Sequence, residues 1–85
     1  MSKENKVSAP VSDDLPNKVG ERIKELRKKL GYKNQEHFAW DKGLSRSQYG
    51  KYEKGADMRI SSLEKVLAAL GITPKDFFSE GFDKW

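Results

Sequence analysis

Eighty-five residues with a net charge of +4 leave room for one small domain with a thin core. There is no cysteine, which excludes disulfides and a cysteine-held zinc. No apolar run approaches the roughly 18 residues of a membrane span, and the N-terminus lacks a signal-peptide apolar stretch, so a cytoplasmic protein is expected. The charge is unevenly placed: residues 16–33 carry seven basic side chains against two acidic ones, whereas residues 1–15 and 56–85 are each slightly acidic. A basic cluster suits a polyanionic partner through counterion release, and suits a solvated helix face equally well.

Residues 1–15 contain no aromatic side chain and include a Ser8-Ala-Pro-Val-Ser12 stretch, the composition of a disordered arm. From about Pro16 to Leu30, the apolar residues Val19, Ile23, Leu26 and Leu30 fall within a ~60° arc of a helix. Gly31 stops that helix. Asn34 caps a second one, from Gln35 to about Lys42, which buries Phe38 and Ala39. Gly43 makes a turn. Ser45 begins a third helix that ends at Gly55, and Ser45 with Gln48 has the spacing of a capping box. Ser61 with Glu64 repeats that spacing at the head of a fourth helix, whose Leu63, Val66, Leu67 and Leu70 follow i, i+3, i+4, i+7 until Gly71. Thr73 and Pro74 start a short fifth helix carrying Phe77 and Phe78. No segment alternates with the period of a strand. The expected fold is all-α, with an arm over 1–15, a domain over 16–80 and an aromatic tail over 81–85.

The third helix carries the functional signal. At 100° per residue from Arg46, an arc of ~140° holds Arg46, Gly50, Lys54, Ser47 and Lys51 and nothing apolar, while Tyr49 and Tyr52 face the core. Gly50 costs roughly 1 kcal/mol of helix stability relative to alanine. A bare backbone at that place would let the helix approach a groove wall closely. Arg46 and Ser47 lie in the first turn, where a helix entering the major groove end-on meets base edges. Arginine can bond guanine O6 and N7 together, and Lys51 lies one turn further on. A sequence-specific DNA-binding protein is therefore expected.

The segments Val19–Arg27, Asn34-Gln35-Glu36, Phe38-Ala39, Gly43–Ser47, Tyr52–Gly55 and Ser62–Thr73, in this order, resemble the lambda-repressor-like, Cro/CI-type helix-turn-helix family. The resemblance covers about residues 18–80. It implies a five-helix domain whose third helix reads the major groove, usually as a dimer, in a transcriptional regulator of repressor type. By position, Arg46, Ser47 and Lys51 match the base-contacting places, and Ser45, Gln48 and Lys54 match places nearer the phosphates. Gln35 matches a phosphate-anchoring glutamine; the free N–H groups of a helix N-terminus favour an anion there independently. Arg27 and Glu53 match a pair that joins helix one to helix three. Of the loop Ala56-Asp57-Met58-Arg59, only Arg59 is a phosphate candidate. Three places depart from the pattern. The turn from Gly31 to Ala39 is one residue longer than the common form, Lys42 replaces a frequent leucine, and Trp40 replaces a frequent charge. Trp40 is expected to pack over the resulting gap, with a partner surface as the second reading.

His37 has no second histidine or cysteine to complete a metal set, and a surface or capping role is expected. Glu36 and Asp41, at i and i+5, do not form a catalytic pair, and there is no phosphate-cradling glycine loop or nucleophile–base constellation. An enzyme and a cofactor are not expected. Phe82 and Trp85 either fold back on the domain or contact a second copy of the chain. No sensing segment follows the domain, so control is expected through expression level, a partner or degradation. Two other readings keep the fold: an antitoxin that also binds a toxin through Trp40 or the tail, and an adaptor that binds protein instead of DNA. The basic arc argues against the adaptor.

Overall fold

A computed structural model describes residues 8–82, with side chains from residue 15 onward. It contains five helices: α1 (Ser8–Lys29), α2 (Gln35–Lys42), α3 (Arg46–Glu53), α4 (Ile60–Leu70) and α5 (Pro74–Phe77). No strand occurs among the described residues. Helices α1 to α4 all end in the same way. Past each one a glycine N–H and the next residue's N–H turn back onto the last carbonyls, as in Gly43 to Trp40 (3.3 Å) and Leu44 to Ala39 (2.8 Å). This Schellman closure needs a left-handed residue, and Gly43, at φ +71°, supplies it in the tight turn between α2 and α3.

Three expectations about boundaries need correction. Helix α1 begins at Ser8 rather than near Pro16, so residues 8–15 belong to it, and the rest of the expected arm lies outside the described residues. Pro16 sits inside the helix, where it has no N–H to donate. Leu30, expected on the buried arc, is 49% exposed, because helical geometry ends at Lys29 and the chain turns away at Gly31. The capping box at Ser61 does not form. Helix α4 starts earlier, at Ile60, with Arg59 as a cap that makes no side-chain bond, which leaves Ser61 inside the first turn. The caps at Asn34 and Thr73 do form, with Asn34 Oδ1 accepting from the His37 N–H (2.7 Å) and Thr73 Oγ1 from that of Asp76 (3.1 Å).

The core gathers one stripe from each helix: Val19 and Ile23 from α1, Phe38 and Ala39 from α2, Tyr49 from α3, Val66, Leu67 and Leu70 from α4, and Phe77 from α5. Helix α3 packs against both α1 and α2. The close approach to α1 depends on Gly20: a Cβ there would lie 2.5 Å from the Tyr52 carbonyl oxygen and 2.9 Å from that of Glu53. Arg22 is buried, donating through Nε to the Phe77 carbonyl (2.9 Å) and through Nη2 to that of Asp76 (3.2 Å), which ties α5 to α1. Phe82 folds back onto Phe77 and Phe78, with ring centroids 6.0 and 4.9 Å away. Trp85 lies outside the described residues.

Candidate nucleic-acid interface

Helix α3 has two chemically distinct faces, and its inner one is fixed from three directions. Tyr49 is buried with its ring centroid 5.1 Å from that of Phe38. Glu53, one turn on, receives a forked bond from Arg27: Nε to Oε2 at 2.7 Å and Nη2 to Oε1 at 3.1 Å. Both side chains are almost sealed from water, at 3% and 1% exposure. The remaining donors and acceptors are used as well: Arg27 Nη1 donates to the Tyr32 carbonyl (2.7 Å), and Gln35 Nε2 donates to Glu53 Oε1 (3.1 Å). One carboxylate thus joins α1, α2 and α3.

The electrostatics of this node follow from its burial. Burial pushes the Glu53 carboxyl up, but bonds from Arg27, aided by Tyr49 and Gln35, outweigh it and hold the group below its ordinary range. The Arg27 guanidinium is raised by the same bond to Glu53, against a smaller opposing effect of burial. The Tyr49 hydroxyl is raised by burial first and by its close approach to the Glu53 carboxylate second. That hydroxyl is the one buried side-chain polar atom among the described residues without a well-formed hydrogen bond.

The outer face carries the residues singled out from sequence. Arg46, Ser47, Lys51 and Lys54 are all exposed, and among the described residues none of the three cations forms an ion pair. Ser45 caps α3, its Oγ accepting from the Gln48 N–H at 3.4 Å. The reciprocal half of the capping box is absent, since the Gln48 side chain instead accepts from the Tyr52 hydroxyl at 3.3 Å. Arg59 stands exposed at the head of α4, beside a shallow cleft that also includes Gln48 and Tyr52.

Three residues behave differently from the sequence reading. Gln35 turns its side chain inward and gives one amide hydrogen to Glu53, while the His37 N–H at the same helix terminus goes to Asn34. Gly50 is half-buried and faces that inward-turned side chain: a Cβ there would come within 2.9 Å of Gln35 Oε1, a flexible end that can move aside. Trp40 does not pack over a gap: it is 72% exposed, with the Arg46 guanidinium over its ring at 5.8 Å.

Sequence reasoning also missed residues. Arg22 was counted in the basic surface of α1, yet both it and Arg27 are buried and paired, so the polyanion-facing charge of that helix rests on its lysines. The signal was available: Arg22 and Arg27 fall at about −60° and +80° from Val19, flanking the apolar arc. Tyr32 packs edge-on against Phe38 (5.2 Å) and His37 (5.4 Å) and donates its hydroxyl to Asp41 (3.0 Å), filling the lengthened turn. His37 is exposed, with Nε2 3.6 Å from Asp41 Oδ2.

Residues 20–80 match the model of the helix-turn-helix domain. The chain is 36% identical over 69 residues to the control protein C.MunI of Mycoplasma sp., covering 80% of this chain and 93% of that one. It is 40% identical over 63 residues to an HTH-type transcriptional regulator from the SPbeta prophage of Bacillus subtilis (strain 168), covering 73% of this chain and 56% of the regulator. Among solved structures, the restriction-modification controller protein C.Esp1396I superposes with a TM-score of 0.71 at 28% identity, over 81% of this chain and 90% of that one. The controller protein C.AhdI of Aeromonas hydrophila gives 0.65 at 36% identity, over 74% and 96%. With its five helices, its α2–turn–α3 unit and these relatives, the chain belongs to the helix-turn-helix domain family, on the lambda-repressor-like fold.

Proposed function

We propose that this chain is a cytoplasmic, sequence-specific regulator of transcription that sets the N-terminal half of α3 into the major groove of double-stranded DNA and represses by occupying a promoter. One observation carries the reading: α3 and its cap Lys54 present Arg46, Ser47, Lys51 and Lys54 on the outer face, with no ion pair to the three cations among the described residues, while the Arg27–Glu53 node and Tyr49 immobilise the inner face. A helix held rigidly in this way loses little backbone freedom on binding.

In this reading Arg46, Ser47 and Lys51 contact base edges, with Arg46 suited to guanine O6 and N7. Ser45, Gln48, Lys54 and Arg59 lie toward the phosphates. Gln35 takes a phosphate through the α2 N-terminus and its free amide hydrogen. Two copies bind half-sites about one helical turn apart. The exposed apolar side chains Leu15, Ile60 and Phe78, which border one groove, supply surface for that pairing. The relatives named as a control protein and as restriction-modification controller proteins support a small regulator.

Fluorescence-anisotropy titration against DNA upstream of the chain's own gene and a scrambled duplex, across a salt series, tests the proposal. Preference for the upstream DNA, lost in Arg46→Ala with little change in salt slope, is the expected result. No binding at low salt would overturn it.

A further inference from the structure

The contact between Trp40 and Arg46 joins α2 to α3 outside the hydrophobic core. Trp40 sits in the last turn of α2 and Arg46 is the first residue of α3; the Gly43 turn brings them together. The indole is 72% exposed, so it fills no core. The guanidinium carbon lies 5.8 Å from the ring centroid, within the roughly 6 Å range of a cation–π contact. Glu36, one turn before Trp40, lines the same open cleft as Ser45, Arg46 and Ser47. Even so, among the described residues no ion pair joins Glu36 to Arg46. The cation rests on an aromatic face where a carboxylate was within the same cleft.

That choice matters for recognition. A carboxylate would consume the in-plane N–H donors of the guanidinium and cancel its charge. An aromatic ring does not neutralise the cation as a carboxylate would, and so keeps its charge and N–H donors available for bidentate contact with guanine O6 and N7. From this geometry, and resting on the reading of α3 as the DNA-reading helix, we infer that Trp40 is a positioning residue for base readout. It holds Arg46 in a narrow range of rotamers before DNA arrives, and so sharpens the preference for guanine at the base pair Arg46 meets. The indole acts through Arg46; it is not itself a base contact.

The test is a double-mutant cycle on the tightest duplex that the wild-type protein selects from a random-sequence pool. Trp40→Ala, Arg46→Ala and the double variant are titrated against that duplex and against a scrambled one, over a salt series, with thermal unfolding to confirm that each is folded. The expected result is a loss of about two- to fivefold in specific affinity for Trp40→Ala, the size of an exposed cation–π contact. Salt slope and scrambled-DNA binding stay unchanged, and Trp40→Ala has no further effect in the Arg46→Ala background. Trp40→Phe, which keeps an aromatic face, recovers part of the loss. Equal losses in both backgrounds would overturn the inference, because the indole would then be touching DNA by itself. No loss in either background would overturn it too, while leaving Arg46 as a base reader. Specific binding that survives Arg46→Ala would instead sink the underlying reading of Arg46, whatever Trp40 does.

Discussion

Removing one partner of the Arg27–Glu53 node should cost far more than removing both. The two side chains are 3% and 1% exposed and share two bonds, at 2.7 and 3.1 Å. In Glu53→Leu the Arg27 guanidinium keeps only the Tyr32 carbonyl and stays buried with its charge uncompensated. Breaking a buried pair in this way costs about 3–5 kcal/mol. A domain of this length has roughly 4–13 kcal/mol of stability in total, so the variant approaches complete unfolding. Its Tm should fall by at least about 12 °C. Arg27→Met should behave similarly, by stranding Glu53. The double variant Arg27→Met/Glu53→Leu exchanges the pair for apolar groups of similar length and should lie within about 2 kcal/mol of the wild type. The assay is urea unfolding followed by far-ultraviolet circular dichroism, at one fixed protein concentration so that any self-association is held constant. A coupling energy of at least about 2 kcal/mol is expected from the cycle. If the two single losses simply add in the double variant, the node is not a unit and the reasoning fails.

The same node sets a pH response. Because the folded Glu53 carboxyl titrates below its ordinary value of 4.5, its contribution is fully present above that value and is lost as pH falls through the depressed one. Acid unfolding of Glu53→Gln should therefore show a shallower decline in this window than that of the wild type. Gly20→Ala should destabilise the domain by more than the ~1 kcal/mol that alanine gains in helix propensity, because its Cβ meets backbone oxygens of α3 that cannot move aside; calorimetry would show a lowered Tm, and a raised one would refute the close approach. Gly50→Ala meets only the flexible end of Gln35, so chemical unfolding should place it within about 1 kcal/mol of the wild type. On DNA, Lys54→Ala should weaken binding alike for all sequences and reduce the slope of log K against log salt by about 0.9, whereas an unchanged slope would remove Lys54 from the phosphate contacts.

Most of the secondary structure was legible because the signals that make it are local. Asn34, Thr73 and the glycines after α1 to α4 act over four or five residues, and the apolar stripes repeat within one helix, so both can be read along the chain. Where two local signals competed, the reading slipped: Ser61 looked like a cap, but the helix begins one residue earlier, at Ile60. The exposed face of α3 was legible for the same reason, since Arg46, Ser47 and Lys51 share a helix that Lys54 caps, and their direction follows from its period.

Only the tertiary structure decided what lies between elements. Nothing local says that Arg22 reaches the carbonyl of Phe77, 55 residues away, or that Gly20 is the place where α1 meets the α3 backbone. The pairing of Arg27 with Glu53 was implied by resemblance rather than by spacing; its closure by Gln35 and Tyr32 emerged from the packing of three helices on one carboxylate. Gly50 shows the distinction most directly. Sequence makes it an expensive residue in an exposed arc, and the fold shows what sequence could not, that its bare Cα faces the inward-turned Gln35 side chain. Trp40 is the converse case: its hydrophobic character predicts packing, but the Gly43 turn carries it to solvent beside Arg46, where the ring faces a cation and not the core. Side-chain identity determined which helices form and which face is basic. The crossing of the helices decided which charges are neutralised inside and which remain free for DNA, because desolvation and pairing depend on neighbours that are close in space and not along the chain.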